Sequence, residues 1–184
     1  FVWANGRLPT SDLYKELAAN GFKDYRLKIG GLVENSVELS LDELRAMGAT
    51  TQITLHHCIQ GWSGIAEWGG VPMSRIMALV QPRASATAAV FYSFGEGPEG
   101  GQFYDSHSME NLAHAQTLLA FDMNGAPLGE PHGAPLRLRV ENQLGFKMVK
   151  WIESIEFVES VKSVHQGEGG YKEDHEYFGE LANI

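Results

Sequence analysis

The chain has 184 residues, 43% hydrophobic and 10% aromatic, enough to bury a core as one domain without covalent staples. Its formal charge of −9 opposes a nucleic acid or an anionic membrane surface as main partner, so no nucleic-acid partner is expected. The single cysteine, Cys58, excludes internal disulfides, and no apolar run approaches the roughly 20 residues of a membrane-spanning helix.

In chain order, no signal sequence is visible in the irregular opening "FVWANGRLPT". "SDLYKELAANG" then predicts a helix with Ser11 or Asp12 as cap and Gly21 as stop. "YRLKIGGLV" alternates Tyr25, Leu27 and Ile29 with Arg26 and Lys28, and "SVELS" follows a Glu34-Asn35 turn, which predicts a hairpin. Ser40 and Glu43 form a capping box for the helix "LDELRAM". "QITLHHC" reads as a strand ending at Cys58, and the glycines at 61, 64, 69 and 70 predict a loop behind it. "VPMSRIMALV" is expected to be helical, with Pro72 in its first turn. "AAVFYSF" is expected as a strand before the glycine-rich "GEGPEGGQ". "ENLAHAQTLLAFDMNGAPLG" predicts a helix or extended segment ending at an Asn124-Gly125 turn, and "APLRLRV" and "KMVKWIESIEFVE" predict strands. In the charged tail, Tyr171, Tyr177 and Phe178 are available to clamp it to the body. No internal repeat or linker is present, so one α+β domain over residues 1–184 is expected.

Cys58 sits at a strand-to-loop junction between histidines and a tryptophan-rich loop. A lone cysteine is most simply a small buried hydrophobe. Zinc held by His56, His57 and Cys58 together is unattractive, because neighbouring strand residues point to opposite faces; only His56 and Cys58 share one. Zinc through Cys58 with His107 or His132 stays open, although the seven histidines show no ligand spacing. A Cys58–His56 dyad lacks an evident orienting group. Four of the fourteen basic residues, Arg137, Arg139, Lys147 and Lys150, lie within one short segment with Glu141 as the acidic residue among them. That is a candidate anion site, or else a solvated strand edge.

Taken together, "YRLKIGGLVENSVELSLDELRAM", "ITLHHCIQGWSGIAEWGGVP", "TLLAFDMNGAPLGEPHGAPLRLRV" and "LGFKMVKWIESIEF" resemble the oxidoreductase molybdopterin-binding domain of the sulfite oxidase superfamily, from about Asp24 to Phe157. The resemblance implies that superfamily's α+β fold of mixed sheets and short helices, and a molybdenum–molybdopterin cofactor whose metal is ligated by the Cys58 thiolate. It further implies that Arg137, Met148, Val149 and Lys150 bind the pterin and its phosphate end, that Ser93 and His132 contact the cofactor, and that Asn5 matches an N-terminal contact. Trp62 and Trp68 would wall the pocket, and Gln60 would hydrogen-bond a substrate oxygen, placing Cys58, Gln60 and Trp62 at the reaction centre.

The chain departs from sulfite oxidases where it carries "IQGWSG" in place of their Gly-Asn-Arg-Arg stretch, and with Ile184 soon after the last predicted strand their immunoglobulin-like domain is not expected here. It is similar instead to the stand-alone bacterial branch that includes the catalytic subunits of periplasmic protein-methionine-sulfoxide reductases. The implied activity is two-electron oxygen-atom transfer, as sulfoxide or N-oxide reduction or sulfite-type oxidation. The substrate would be a small molecule or a protein sulfoxide, electrons would pass to or from a haem-bearing membrane partner, and the chain would act outside the cytoplasm as a monomer. A catalytically inactive molybdopterin-fold binding module is the first alternative, and a zinc enzyme using Cys58 with distant histidines a more remote one.

Overall fold

Short capped helices and antiparallel hairpins build the molecule, whose computed structural model describes residues 2–97 and 100–164. Helix α1 (Asp12–Ala19) starts where Ser11 Oγ accepts the Tyr14 amide, and it buries Tyr14 and Leu17, three residues apart on one face. Strands β1 (Leu27–Gly31) and β2 (Val37–Leu39) form the expected hairpin. Helix α2 (Leu41–Ala46) carries the Ser40/Glu43 capping box with both bonds present.

The segment after Cys58 corrects one expectation. Strand β3 (Thr50–His57) pairs in register with a ten-residue strand, β4 (Ser63–Pro72), so the predicted loop shrinks to the turn between them. Gly64, Gly69 and Gly70 are strand residues: a Cβ at Gly70 would overlap the carbonyl of Leu119 on the neighbouring strand, so close backbone approach requires glycine there. Helix α3 (Met73–Val80) starts one residue after Pro72, which ends β4 and caps the helix whereas the sequence places it in the first turn, and strand β5 (Ala88–Glu96) follows as expected.

Strand β6 (Gln102–Ser108) is not foreshadowed by its sequence, because it buries Asp105, Ser106 and His107 consecutively and shows no apolar alternation. The "ENLAHAQTLLAFDM" stretch splits into helix α4 (Met109–Ala113) and strand β7 (Leu118–Met123). The Asn124-Gly125 turn, with φ of 52° and 75°, leads into β8 (Ala126–Pro127). Strand β9 (Arg137–Arg139) follows, and the last strand, β10 (Ile152–Val158), begins later than its sequence pattern predicts. A one-turn helix, Gly145–Lys147, and Trp151 at φ 55° interrupt the alternation. Tyr171, Tyr177 and Phe178 lie outside the described residues.

The strands form two five-stranded sheets, one ordered β2-β1-β10-β5-β6 and the other β3-β4-β7-β8 with β9 also on β7. One apolar cluster takes Leu27, Ile155, Phe157 and Phe91 from the first sheet and Val71, Leu119, Phe121 and Leu138 from the second, with Leu17, Leu44 and Ile76 of three helices. A second cluster gathers around Trp68 with Val2, Ala66 and Leu118. This is a mixed α+β fold with short helices, as expected. Among the described residues no helix is long and apolar enough to cross a membrane.

Candidate active site

The β3–β4 hairpin fixes the position of Cys58. The Cys58 amide donates to the Trp62 carbonyl at 2.9 Å and the Gly61 amide donates to the Cys58 carbonyl at 3.0 Å. Gly61 turns the chain at φ 88°, a conformation that favours glycine. The half-buried thiol opens into a cavity of about 570 Å³, within the range of small-molecule and cofactor sites. Asn5, Cys58, Gln60, Trp62, Ser93, His132, Arg137, Met148, Val149 and Lys150 all line this one cavity. Residues spread from the first ten to the hundred and fiftieth position are thereby brought together.

Around the thiol, Asn5 Nδ2 lies 3.6 Å from Cys58 Sγ and donates to Gln60 Oε1 at 3.2 Å. Gln60 Oε1 is itself 4.0 Å from the sulfur. The rings of His56 and Trp62 pack at 5.3 Å. Across the cavity, Ser93 Oγ donates to the Lys150 carbonyl at 2.7 Å and accepts the Gly95 amide at 2.9 Å, so its hydroxyl also anchors the strand segment that carries Lys150.

The basic segment divides into two pairs. Arg139 and Lys147 are consumed internally: Arg139 forks onto Glu141 at 2.8 and 2.7 Å, and Lys147 pairs with the buried Asp105 at 2.6 Å. Burial raises the Asp105 carboxyl to about 6 even though Lys147 acts to lower it. The solvated-edge reading is therefore corrected, because these cations are buried.

Arg137 and Lys150 are the two cations of this segment that line the cavity, where Arg7 joins them. Arg137 is 4% exposed, donates to the His132 carbonyl at 2.9 Å and lies 4.7 Å above the Trp68 ring. Among the described residues no carboxylate lies within ion-pairing distance of it. Burial, then the neighbouring Arg139, lower its guanidinium to about 9. Lys150 donates to the carbonyls of Asn5 and Pro131 and sits 4.0 Å over the Trp151 ring; burial, then Arg137, lower its ammonium to about 7. Burial, Arg137 and Lys150 likewise lower His132. An anion at this wall would relieve all three.

Two alternatives lose ground. His56 Nδ1 faces Arg139 NH1 at 2.9 Å, and burial with Arg139 and Arg137 lowers its imidazole to about 3, so it is a poor base for a thiol dyad. Among the described residues no three His, Cys, Asp or Glu side chains converge as a metal site, so these residues form no protein-only zinc centre.

The residues present fit a molybdenum–molybdopterin group. A soft thiol suits the metal, two cations lacking carboxylates suit a phosphate, and Trp62 Nε1, His132 Nδ1 and Arg137 Nε are buried in the wall without a hydrogen-bond partner among the described residues. Sequence reasoning missed the contributions of Phe146 and of Val2, Trp3, Gly6, Arg7, Leu8 and Thr10, all of which line the cavity. Gly145, which stands beside the lysines in "LGFKMVK", also lines it and would overlap the His56 ring if it carried a Cβ.

Comparison with known proteins agrees with this geometry. The family described as oxidoreductase molybdopterin binding domain matches residues 15–166. YedZ1 of Azospira oryzae, provisionally named a protein-methionine-sulfoxide reductase subunit, is 33% identical over 153 residues, covering 83% of this chain and 54% of that protein. The protein-methionine-sulfoxide reductase catalytic subunit MsrP of Xanthomonas axonopodis pv. citri is 31% identical over 147 residues, covering 74% of this chain and 46% of its own. The chain thus spans about half the length of these curated relatives. The crystal structure of the sulfane dehydrogenase SoxCD from Paracoccus pantotrophus superposes with a TM-score of 0.64 at 26% identity, covering 79% of this chain and 42% of that one.

Proposed function

The chain belongs to the oxidoreductase molybdopterin-binding family, and from that premise we propose that it is the molybdenum-binding domain of a two-electron oxygen-atom-transfer enzyme acting on sulfoxides or N-oxides, or in the oxidising direction on sulfite-type sulfur. One observation carries this reading: a single cavity is lined by the Cys58 thiol, the buried Arg137 and the half-buried Lys150, and among the described residues neither cation has a carboxylate within ion-pairing distance. The printed names of the relatives, sulfoxide reductase subunits and a sulfane dehydrogenase, support a sulfur-centred substrate.

When bound, the cofactor supplies the two-electron redox couple. The residues supply the rest. Cys58 would hold the metal through its sulfur; Arg137, Lys150 and the Met148–Val149 backbone would bind and neutralise the anionic end; His132, Ser93 and Asn5 would orient the pterin. Gln60 and Trp62 bound the substrate space beside the sulfur. Reduction of a sulfoxide consumes two electrons and two protons and yields a thioether and water, and the electrons arrive singly from a haem-bearing membrane partner, a role that the word "subunit" in the relatives' names supports. Residues 1–184 form one domain that acts as a monomer outside the cytoplasm, as in the branch it resembles.

The test is elemental analysis for molybdenum and zinc on protein from a host able to make molybdopterin, with pterin fluorescence after denaturation. Assays with dimethyl sulfoxide, trimethylamine N-oxide and sulfite follow. Near-stoichiometric molybdenum, lost in Cys58→Ser, is expected. Folded protein without molybdenum, under conditions where a relative loads, overturns the proposal.

A further inference from the structure

His56, two positions before Cys58 on the same strand face, lines the cavity with Asn5, Cys58 and Gln60, yet has no part in the roles assigned above. We propose that His56 donates a hydrogen bond through Nε2–H to the substrate oxygen in this cavity, and that Arg139 is the positioning residue that holds the ring in the tautomer able to do so. The substrate half of this rests on the function proposed above; the tautomer half stands alone.

The tautomer follows from donor counting. Arg139 NH1 lies 2.9 Å from His56 Nδ1. A guanidinium carries donors and no acceptor, so Nδ1 must receive that bond on its lone pair, and a neutral imidazole then carries its proton on Nε2. Arg139 has no freedom to release the ring. Its Nε and NH2 fork onto Glu141 at 2.8 and 2.7 Å, its guanidinium lies 4.3 Å over Trp68, and Glu141 in turn accepts Gln52 Nε2 at 3.0 Å. NH2 also reaches Thr54 Oγ1 at 3.5 Å, tying β9 back to the strand that carries His56.

Glycine at 145 leaves the donor edge uncovered by a side chain, although the backbone there packs closely against it. Trp62 packs against one side of the ring, and the Cε1–Nε2 edge faces Gly145, where any Cβ would overlap it. Nε2 makes no hydrogen bond to the described residues. A half-enclosed N–H without a partner is unfavourable, and an oxygen acceptor entering the cavity beside Cys58 satisfies it. The ligand class this selects is a strong oxygen acceptor, a sulfoxide or N-oxide, over the corresponding deoxygenated product.

The experiment reads tautomer and substrate separately. Nitrogen-15 histidine spectra of the cofactor-free protein at neutral pH are expected to show His56 Nδ1 unprotonated and Nε2 protonated. The Arg139→Met/Glu141→Met double variant, which leaves no stranded carboxylate, is expected to shift the ring toward the other tautomer or a mixture. A wild-type ring protonated on Nδ1 overturns the proposal. In the molybdenum-loaded protein, His56→Phe keeps the ring and the Arg139–Glu141 pair and is expected to raise KM for dimethyl sulfoxide about tenfold at unchanged metal content, with His56→Gln, whose amide can donate, recovering part of the loss. An unchanged KM in His56→Phe overturns the donor role even where the double variant fails to fold. The expected tautomer in a protein that takes up no molybdenum overturns the functional proposal and the donor role together, and leaves the positioning by Arg139 established.

Discussion

Replacing Arg137 by Met should raise the stability of the cofactor-free protein and weaken its hold on the cofactor. The guanidinium is 4% exposed and no carboxylate among the described residues pairs with it. Its fall from the ordinary arginine value to about 9 corresponds to about 5 kcal/mol by which the site disfavours the charged form, at about 1.4 kcal/mol per pH unit. Methionine removes that penalty and loses the bond to the His132 carbonyl and the packing on Trp68, together about 2 kcal/mol. The cofactor-free variant should then be about 2–3 kcal/mol more stable, a rise of roughly 5–10 °C in Tm for a chain of this length. Truncating one member of a buried, hydrogen-bonded charge pair costs about 2–5 kcal/mol of binding, so the loaded variant should lose cofactor first on heating. Calorimetry of wild type and Arg137→Met, each from a host with and a host without molybdopterin synthesis, measures both effects. A variant less stable than wild type in the cofactor-free state would refute the reasoning, because Arg137 would then be part of the scaffold and not a cation waiting for an anion.

Lys150 gives a pH signature. Its ammonium titrates near 7 in the fold and at 10.5 ordinarily, so between those values the unfolded chain binds the extra proton and the cofactor-free protein gains stability as pH rises, by at most about 1.4 kcal/mol per unit; Lys150→Met should flatten that rise in urea titrations. The same depression means that anion binding requires proton uptake, so affinity for inorganic pyrophosphate should weaken as pH climbs above about 7, as measured by calorimetric titration in wild type against Lys150→Met. Lys147→Met strands the buried Asp105 and should destabilise the fold by about 3–5 kcal/mol in urea denaturation, with Lys147→Met/Asp105→Leu recovering most of the loss. Gln60→Ala and Trp62→Ala should each lower turnover at unchanged molybdenum content, and full activity in both would remove these residues from the substrate wall.

The signals that could be read directly in the sequence were local ones. The Ser40/Glu43 box, the Asn124-Gly125 turn and the strand ending at Cys58 are each set by a few adjacent side chains and their backbone conformations, and each has its counterpart in the structure. The resemblance supplied the site residues, and the fold brings them to one cavity with the exception of Trp68, which is buried in the second core cluster beneath Arg137. Strand β6 escaped because Asp105, Ser106 and His107 resemble surface residues in sequence while the fold buries all three. Strand β4 escaped because glycine reads as a loop residue, although Gly70 is required there by the approach of Leu119.

The sequence by itself determined where the chain turns, which segments carry an apolar face, and that one thiol and four clustered cations are available for chemistry. Only the tertiary structure decided what each cation does. Asp105 lies 42 positions from Lys147 and claims its ammonium, Glu141 claims Arg139, and Arg139 in turn claims a nitrogen of His56 from 83 positions away. Those partners are set by strand order and burial, and no local pattern encodes them. Arg137 and Lys150 face the cavity because the strand pairings spend the acidic partners elsewhere, and in a low-dielectric interior an unspent charge defines a binding site.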